Sequence, residues 1–226
     1  MLTNDLRKTA EPVLREIIDN PFWAGLRDGS LPGTALTRFV GQDTGHLLPA
    51  LGRAFAGCAS AAQDDGHAAR LGLCAHATIE SGPRLREAFA NLAPSLGIEP
   101  ANGREPADPT TFAYCSFLRA ASATSFTSGI GAVLPMMWFH MEVCEDLSAR
   151  SLPGSRYLPW LDVYNPGEQA WPTTREFLGM VDEIGELASA DGRGQLTEHF
   201  SVGIRYELAF ADSGLAPLGH ETRSGA

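Results

Sequence analysis

The sequence predicts an all-helical fold, and three observations support this prediction. Apolar residues recur with a period of about 3.6 along most of the chain, as at Leu6, Ala10 and Ile17. No segment shows the strict alternation of apolar and polar residues that is typical of a strand. Good N-cap residues stand directly before proline at Asn20–Pro21 and at Asp108–Pro109, which is a common way for a helix to begin.

The predicted helices follow one another along the chain with turns between them. Proline removes a backbone donor and clashes with the preceding turn, so Pro49, Pro83 and Pro135 are expected to kink their helices. Seven long and two short helical segments are predicted, which gives a bundle of about seven or eight helices. The predicted segments are Leu2–Ile18, a short helix from Pro21, Thr34–Ala62, Ala68–Leu96, Pro109–Thr124, Phe126–Arg150, a short helix closed by Tyr164–Gly167, Pro172–Ala190 and Gln195–Asp212.

The whole chain, 1–226, is expected to form a single domain. The segment Gly97–Pro109 is polar and rich in proline, as a loop or a linker would be. Neither side of this segment carries the set of elements that an independent core needs. The last residues, about 213–226, lack helical periodicity and are expected to be a flexible tail.

Composition restricts the classes of partner. The net charge is −10 and no basic stripe offsets it, so nucleic-acid binding is not expected. No segment approaches the roughly 20 apolar residues that span a bilayer, and the charged N-terminus is unlike a signal peptide. We therefore expect no membrane association and a soluble, cytoplasmic protein. The cysteines, expected to be buried reduced thiols, are Cys58, Cys74, Cys115 and Cys144.

Two pairs of ionisable residues have helical spacing. Asp43 and His46 are three residues apart, and His76 and Glu80 are four apart, so each pair lies on one face of its predicted helix. Either pair could belong to a site. A solvated helix face is the alternative for the first pair, and a surface pair is favoured for the second.

Two further groups lie within apolar helices. The first comprises Trp138, His140 and Glu142, and the second comprises Tyr206 and Glu207. A carboxylate in an apolar helix is costly to bury unless it is paired or functional. Both glutamates are therefore candidates for a functional site.

Four segments of the sequence, in order along the chain, resemble the TenA (thiaminase II) family. They are NPFWAGLRDGSLPGTALTRFVGQDTGHLLPALGRAFA, AVLPMMWFHMEV, YLPWLDVY and GIRYELAFAD, and together they span about Pro21–Asp212. The resemblance implies a haem-oxygenase-like helical bundle with a small-molecule pocket between helices. Family members hydrolyse thiamin or its aminopyrimidine breakdown products, in thiamin salvage. They often form tetramers, so the resemblance also implies a homodimer or homotetramer.

The resemblance implies site residues position by position. Asp43 matches the aspartate that holds the pyrimidine, and Glu207 matches the glutamate that acts as acid or base. The remaining matched positions, at which contact with the substrate is expected, are Phe22, Tyr114, Trp138, Tyr164 and Tyr206.

Three positions depart from the family pattern. Met136 stands where the family has its cysteine nucleophile, and a thioether cannot form the covalent intermediate that a thiolate forms. His140 and His46 stand where the family has tyrosines. Cys144 follows Met136 by eight residues, about 80° round a helix, and is a poor substitute. Met136 and His46 are expected to contact the substrate, and His140 is a candidate for the catalytic set.

Three hypotheses about function remain open at this point. The first is hydrolysis of an aminopyrimidine, or a related small heteroaromatic compound, without a cysteine nucleophile and without a cofactor; Glu207 would activate water or protonate the leaving amine. The second is oxidative or cyclising chemistry. It would be cofactor-free or would use non-haem iron, whose ligands would be His46, His140, Asp43 and Glu207. The third is ligand binding without catalysis.

Overall fold

The computed structural model describes residues 1–100 and 103–215, apart from the side chain of Gln169, and these residues contain no strand. This confirms the predicted all-α class. Residues 216–226, most of the predicted tail, lie outside the described part of the chain. The helices of the described part are α1 (Leu2–Ile18), α2 (Pro21–Asp28), α3 (Gly33–Gln42), α4 (Leu48–Ala61), α5 (Asp65–Leu96), α6 (Pro109–Thr124), α7 (Phe126–Arg150), α8 (Leu158–Tyr164), α9 (Trp171–Leu187) and α10 (Ala190–Ser213).

Local capping fixes several of these boundaries as predicted. The Asn20 side chain accepts a hydrogen bond from the Phe22 amide at 2.9 Å, and Pro21 opens α2. The Asp108 side chain accepts from the Thr111 amide at 2.7 Å, directly before α6. Each cap satisfies a backbone donor that has no partner within its own helix.

The predicted helix Thr34–Ala62 is interrupted in the structure. A π-helical turn, Asp43–Leu47, separates α3 from α4, and Pro49 lies in the first turn of α4. The backbone stays helical through this turn, and the Leu48 amide donates to the carbonyl oxygen of Asp43, five residues earlier. The irregularity therefore precedes Pro49, and the extra break is one reason why the described chain has more helices than predicted.

The last helix begins earlier than its periodicity indicated. It starts at Ala190 and not at Gln195, because Ser189 caps it by accepting a hydrogen bond from the Gly192 amide at 3.1 Å. Helices α5 and α7, in contrast, each continue through an internal proline, Pro83 and Pro135.

Buried side chains from all ten α-helices form one contiguous hydrophobic cluster. Helices α7 and α10 lie close together at Gly131, where a Cβ would lie 2.2 Å from the carbonyl oxygen of Leu196. Only glycine fits at that contact. A buried ion pair between Arg27 and Asp146 holds α2 against α7. None of the described helices combines the length and the apolar content needed to cross a lipid bilayer.

Candidate active site

A cavity of about 480 Å³ lies inside the bundle, which is in the range of small-molecule pockets. Its wall is mostly aliphatic and aromatic, and it is formed by residues of the π-helical turn and of most of the helices. Five ionisable side chains line it. They are Asp43, Arg84, His140, Tyr164 and Glu207.

Asp43, at the start of the π-helical turn, carries a buried carboxyl group. Its side chain receives no hydrogen bond from the described residues, although it lines the cavity. Burial, and then the negative charge of Glu207, raise its pKa to about 8. A buried polar group of this kind is satisfied when a ligand brings the missing donors.

Glu207 lines the same cavity from α10. Its Oε1 accepts a hydrogen bond from the hydroxyl of Tyr114, which projects from α6 and is fully buried. Burial raises the pKa of Glu207 to about 7, although the bond from Tyr114 favours the carboxylate and partly opposes that rise. A carboxyl group with a pKa near neutral pH can take up or release a proton during a reaction.

The protonation states of the two carboxyl groups are coupled. Each faces a largely apolar cavity, and the charge of Glu207 opposes ionisation of Asp43. Near pH 7 the pair tends to retain a proton, because placing two unpaired negative charges in one cavity is unfavourable. The site thus holds both a proton donor and a proton acceptor.

Met136 and His140 line the cavity from one face of α7, as their spacing of four residues predicts. Burial lowers the pKa of His140 to about 4, so its imidazole is neutral at pH 7. Cys144 lies one turn further along, with its Sγ 3.6 Å from the Nε2 of His140. Burial raises the pKa of this thiol, and Cys144 does not line the cavity.

Tyr164, at the end of α8, lines the cavity within an aromatic wall. Its ring stacks on Trp160 with centroids 4.8 Å apart and meets the ring of His140 edge to face at 4.8 Å. Trp23 and Phe39 extend the same wall. The sequence analysis did not select these two residues, although both stand inside the first segment that resembles the TenA family.

Trp138 does not line the cavity, contrary to its predicted contact with the substrate. It is two residues from Met136, which is about 200° round the helix, so it lies on the other side of α7. Its indole N–H donates to Glu142 at 3.0 Å, and Arg7 pairs with Glu142 at 3.5 Å. The candidate Glu142 is therefore half of an ion pair between α1 and α7.

Phe22 and Tyr206 are also outside the cavity lining. Phe22 is fully buried in the core and packs edge to face against Trp23, the residue that does reach the cavity. Tyr206 stacks on Tyr114 with centroids 5.1 Å apart. Phe22 and Tyr206 thus pack against side chains of the site and do not form its surface. Tyr114 does not line the cavity either, and it contacts the site through its hydrogen bond to Glu207.

His46, which was expected to contact the substrate, lies outside the cavity lining. Its Nε2 lies 2.6 Å from the carbonyl oxygen of Glu105 in the loop before α6, and the side chain does not line the cavity. The prediction assumed α-helical spacing between Asp43 and His46. The wider π-helical turn changes that spacing, so the two side chains do not share a face.

The structure also shows where the second ionisable pair and the predicted iron ligands lie. His76 and Glu80 are both exposed, as the surface interpretation expects. Asp43, His140 and Glu207 share the cavity, but His46 does not. Among residues 1–100 and 103–215, no three histidine, cysteine or acidic side chains are grouped so as to hold a metal ion.

Comparison with known proteins agrees with this architecture. The sequence profile of the TENA/THI-4/PQQC family matches residues 7–212. The chain belongs to this family. As a family member, it shares 32% identity over 211 residues with the thiamine biosynthesis multifunctional protein ThiED of Corynebacterium efficiens, covering 93% of the chain but only 28% of that protein. It is 27% identical to the aminopyrimidine aminohydrolase of Bacillus subtilis strain 168, over 84% of the chain and 80% of the relative.

Solved structures show the same fold. A TenA homologue from P. horikoshii OT3 superposes with a TM-score of 0.77 and 25% identity, covering 95% of this chain and 98% of that one. A domain from Shewanella denitrificans described as having a haem-oxygenase-like fold gives a TM-score of 0.67 at 14% identity, over 95% and 91% of the two chains. The bundle of this TenA family member is therefore haem-oxygenase-like, as expected.

Proposed function

We propose that this TenA family member is an enzyme that hydrolyses the carbon–nitrogen bond of an aminopyrimidine without a cysteine nucleophile. The observation that carries the proposal is that two carboxyl groups with raised pKa values, Asp43 and Glu207, face one largely apolar cavity. Relatives named aminopyrimidine aminohydrolase, from Bacillus subtilis and Halalkalibacterium halodurans, support the substrate class.

The residues of the cavity suit a one-step displacement by water. The carboxyl group of Asp43, which tends to be protonated near pH 7, would donate a hydrogen bond to a ring nitrogen of the pyrimidine and accept one from its amino group, and Tyr164 would pack against the ring. Glu207 would exchange protons with the attacking water and the leaving nitrogen. The water oxygen bonds to the methylene carbon as the carbon–nitrogen bond breaks. The bonding pair stays on nitrogen, which takes a proton and leaves as the amine, and the product is a hydroxymethylpyrimidine.

This reaction needs no redox change, so the proposal includes no cofactor. Met136 contributes an apolar wall and no nucleophile, and neutral His140 sits close to the ring of Tyr164. The catalytic set that we propose is Glu207 and Asp43, with His140 as a neutral hydrogen-bonding group.

Replacing Glu207 by glutamine tests the proposal. The amide keeps the size of the side chain and cannot exchange protons, so hydrolysis of aminomethylpyrimidine should fall by about 10²- to 10⁴-fold. Release of hydroxymethylpyrimidine is followed by chromatography. Glu142→Gln, on the far side of α7, is the matched control and should remain active.

Two outcomes would count against the proposed function. Full activity of Glu207→Gln would remove this residue from the mechanism. No release of hydroxymethylpyrimidine by the wild-type protein, with ligand binding retained, would favour the binding hypothesis.

We also propose that the protein is a homodimer or homotetramer in the cytoplasm, acting on a small molecule. Several large apolar side chains remain exposed on the single chain, and association would cover some of them. They include Leu73, Phe112 and Leu187. Sedimentation velocity would measure the assembly state directly, and a sedimenting monomer would contradict it.

A further inference from the structure

The cavity has a defined mouth. Some of its lining residues are exposed to solvent, and they mark the place where it opens. These exposed residues come from α5, from α8 and from the first turn of α9. They are Ala77, Arg84, Val163 and Thr173.

Arg84 gives this mouth a positive charge. It is the one basic side chain among the described residues that line the cavity. Its Nε donates to the backbone carbonyl of Glu80 at 3.4 Å, one turn earlier in α5, and no described carboxylate pairs with its guanidinium. A guanidinium has five N–H donors, so several remain for a ligand. In a chain of net charge −10, an unpaired arginine at a cavity mouth attracts anions locally.

Two hydroxyl groups stand beside Arg84 on the same face of α5. Thr78 and Ser81 both line the cavity, at successive intervals of three residues before Arg84. The Ser81 hydroxyl donates to the backbone carbonyl of Thr78 at 2.7 Å. The Thr78 hydroxyl makes no hydrogen bond with the described residues, so it can donate to a ligand. Guanidinium and hydroxyl donors on one helix face form the kind of polar surface that contacts phosphate or carboxylate oxygens.

The size of the cavity indicates a ligand larger than one ring. About 480 Å³ is the volume of pockets that enclose drug-sized compounds. A single substituted pyrimidine would fill only part of this volume, so the cavity has room for a second part of the ligand.

We propose that Arg84, with Thr78, forms a subsite at the cavity mouth for an anionic group, phosphate or carboxylate, on the far end of a heteroaromatic ligand. The placement of the ring rests on the function proposed above. The subsite itself is a separate feature of α5. The preferred ligand is thus bipolar, with N–H donors at the carboxyl groups inside the cavity and a negative group at its mouth.

Thiamin and thiamin monophosphate are a matched pair of probes, because they differ only in the phosphoryl group at the far end. Calorimetric titration of each into the full-length protein measures the two dissociation constants. Thiamin monophosphate should bind about tenfold more tightly, since the phosphoryl group gains charge-assisted hydrogen bonds. Arg84→Met should abolish this advantage and leave thiamin binding nearly unchanged, whereas Arg84→Lys should retain part of it.

Arg193→Met is the control for loss of one positive charge, because Arg193 is exposed on α10 and does not line the cavity. It should keep the full advantage of the phosphorylated probe. Equal binding of the two probes by the wild-type protein, persistence of the difference in Arg84→Met, or no measurable binding of either probe would overturn the subsite. Loss of hydrolysis with the binding difference intact would instead overturn only the proposed function.

Discussion

Asp43 and Glu207 acquire their properties from position more than from residue type. An exposed carboxyl group is ionised at pH 7, yet burial beside an apolar wall raises both pKa values to the neutral range. The hydroxyl of Tyr114 favours the ionised form of Glu207 and so tunes this shift. A single phenolic hydroxyl therefore influences the pH at which the site can exchange protons.

Replacing Tyr114 by phenylalanine should move the pH dependence of the enzyme. Without the donated hydrogen bond, the pKa of Glu207 rises further, so the limb of the pH–rate profile that depends on its ionisation shifts to higher pH. The kcat should fall by about tenfold because Glu207 is also less well oriented. Tyr206→Phe is the control, since that hydroxyl makes no hydrogen bond with the described residues. An unchanged profile for Tyr114→Phe would show that this contact has no role in tuning.

Alkylation should not inactivate the wild-type protein. Its four cysteines are buried, and burial raises the pKa of each thiol, to about 12 for Cys58 and about 11 for Cys74 and Cys115. Iodoacetamide reacts with thiolates, so folded protein at pH 7.5 should keep its activity. Met136→Cys should place a thiol in the cavity and become sensitive to the reagent. Parallel loss of activity and of one free thiol in the wild-type protein would contradict a cysteine-free mechanism.

At the scale of the element, the face that a residue occupies depends on the helix type. On α7 the regular 3.6-residue period places Met136 and His140 together in the cavity and turns Trp138 away. Around Asp43 the chain is π-helical, and the 3.6-residue period does not predict the position of His46 there. Periodicity thus predicts relative positions well within regular helices, but irregular turns, which are common at functional sites, defeat it.

The contact between α7 and α10 can be tested through its glycine. In Gly131→Ala the new methyl group would lie 2.2 Å from a backbone oxygen, which cannot move aside as a flexible side chain can. We expect the free energy of unfolding to fall by about 2–4 kcal/mol, measured by urea denaturation. Gly72→Ala, on an open surface of α5, is the control and should stabilise the protein by about 0.5–1 kcal/mol. Similar values for the two variants would contradict the close approach.

At the scale of the whole molecule, the site lowers stability as the pH rises. The folded pKa values of Asp43 and Glu207 lie above their ordinary values of 3.8 and 4.5, so the folded state binds more protons than the unfolded state. Their contribution is most favourable below about pH 4 and is lost as the pH rises through about 7 to 8. Asp108 acts in the opposite sense. Burial alone would raise its pKa, but its hydrogen bonds from Thr111 and Arg38 together outweigh burial and lower it.

Replacing Asp43 by asparagine should therefore stabilise the protein at pH 8 more than at pH 5. The amide avoids the buried charge at high pH and resembles the protonated acid at low pH. We expect a gain on the order of 1–3 kcal/mol at pH 8 and little change at pH 5, from urea denaturation at both pH values. Glu198→Gln, exposed on α10, is the control and should show no such difference. Equal effects of Asp43→Asn at the two pH values would mean that this carboxyl group is not destabilised by burial.

The sequence by itself determined the helical class, the caps at Asn20 and Asp108, and the family motifs that contain Asp43 and Glu207, because these features depend on local periodicity and on short patterns. The tertiary structure decided which of the candidate side chains meet. Tyr114 contacts Glu207 across 93 positions of the chain. Arg84 is an ordinary exposed arginine in the sequence and becomes part of a cavity mouth only when α5 packs beside α8 and α9. Contacts of this kind depend on how separate helix faces pack against one another, and local periodicity within one helix does not contain that information.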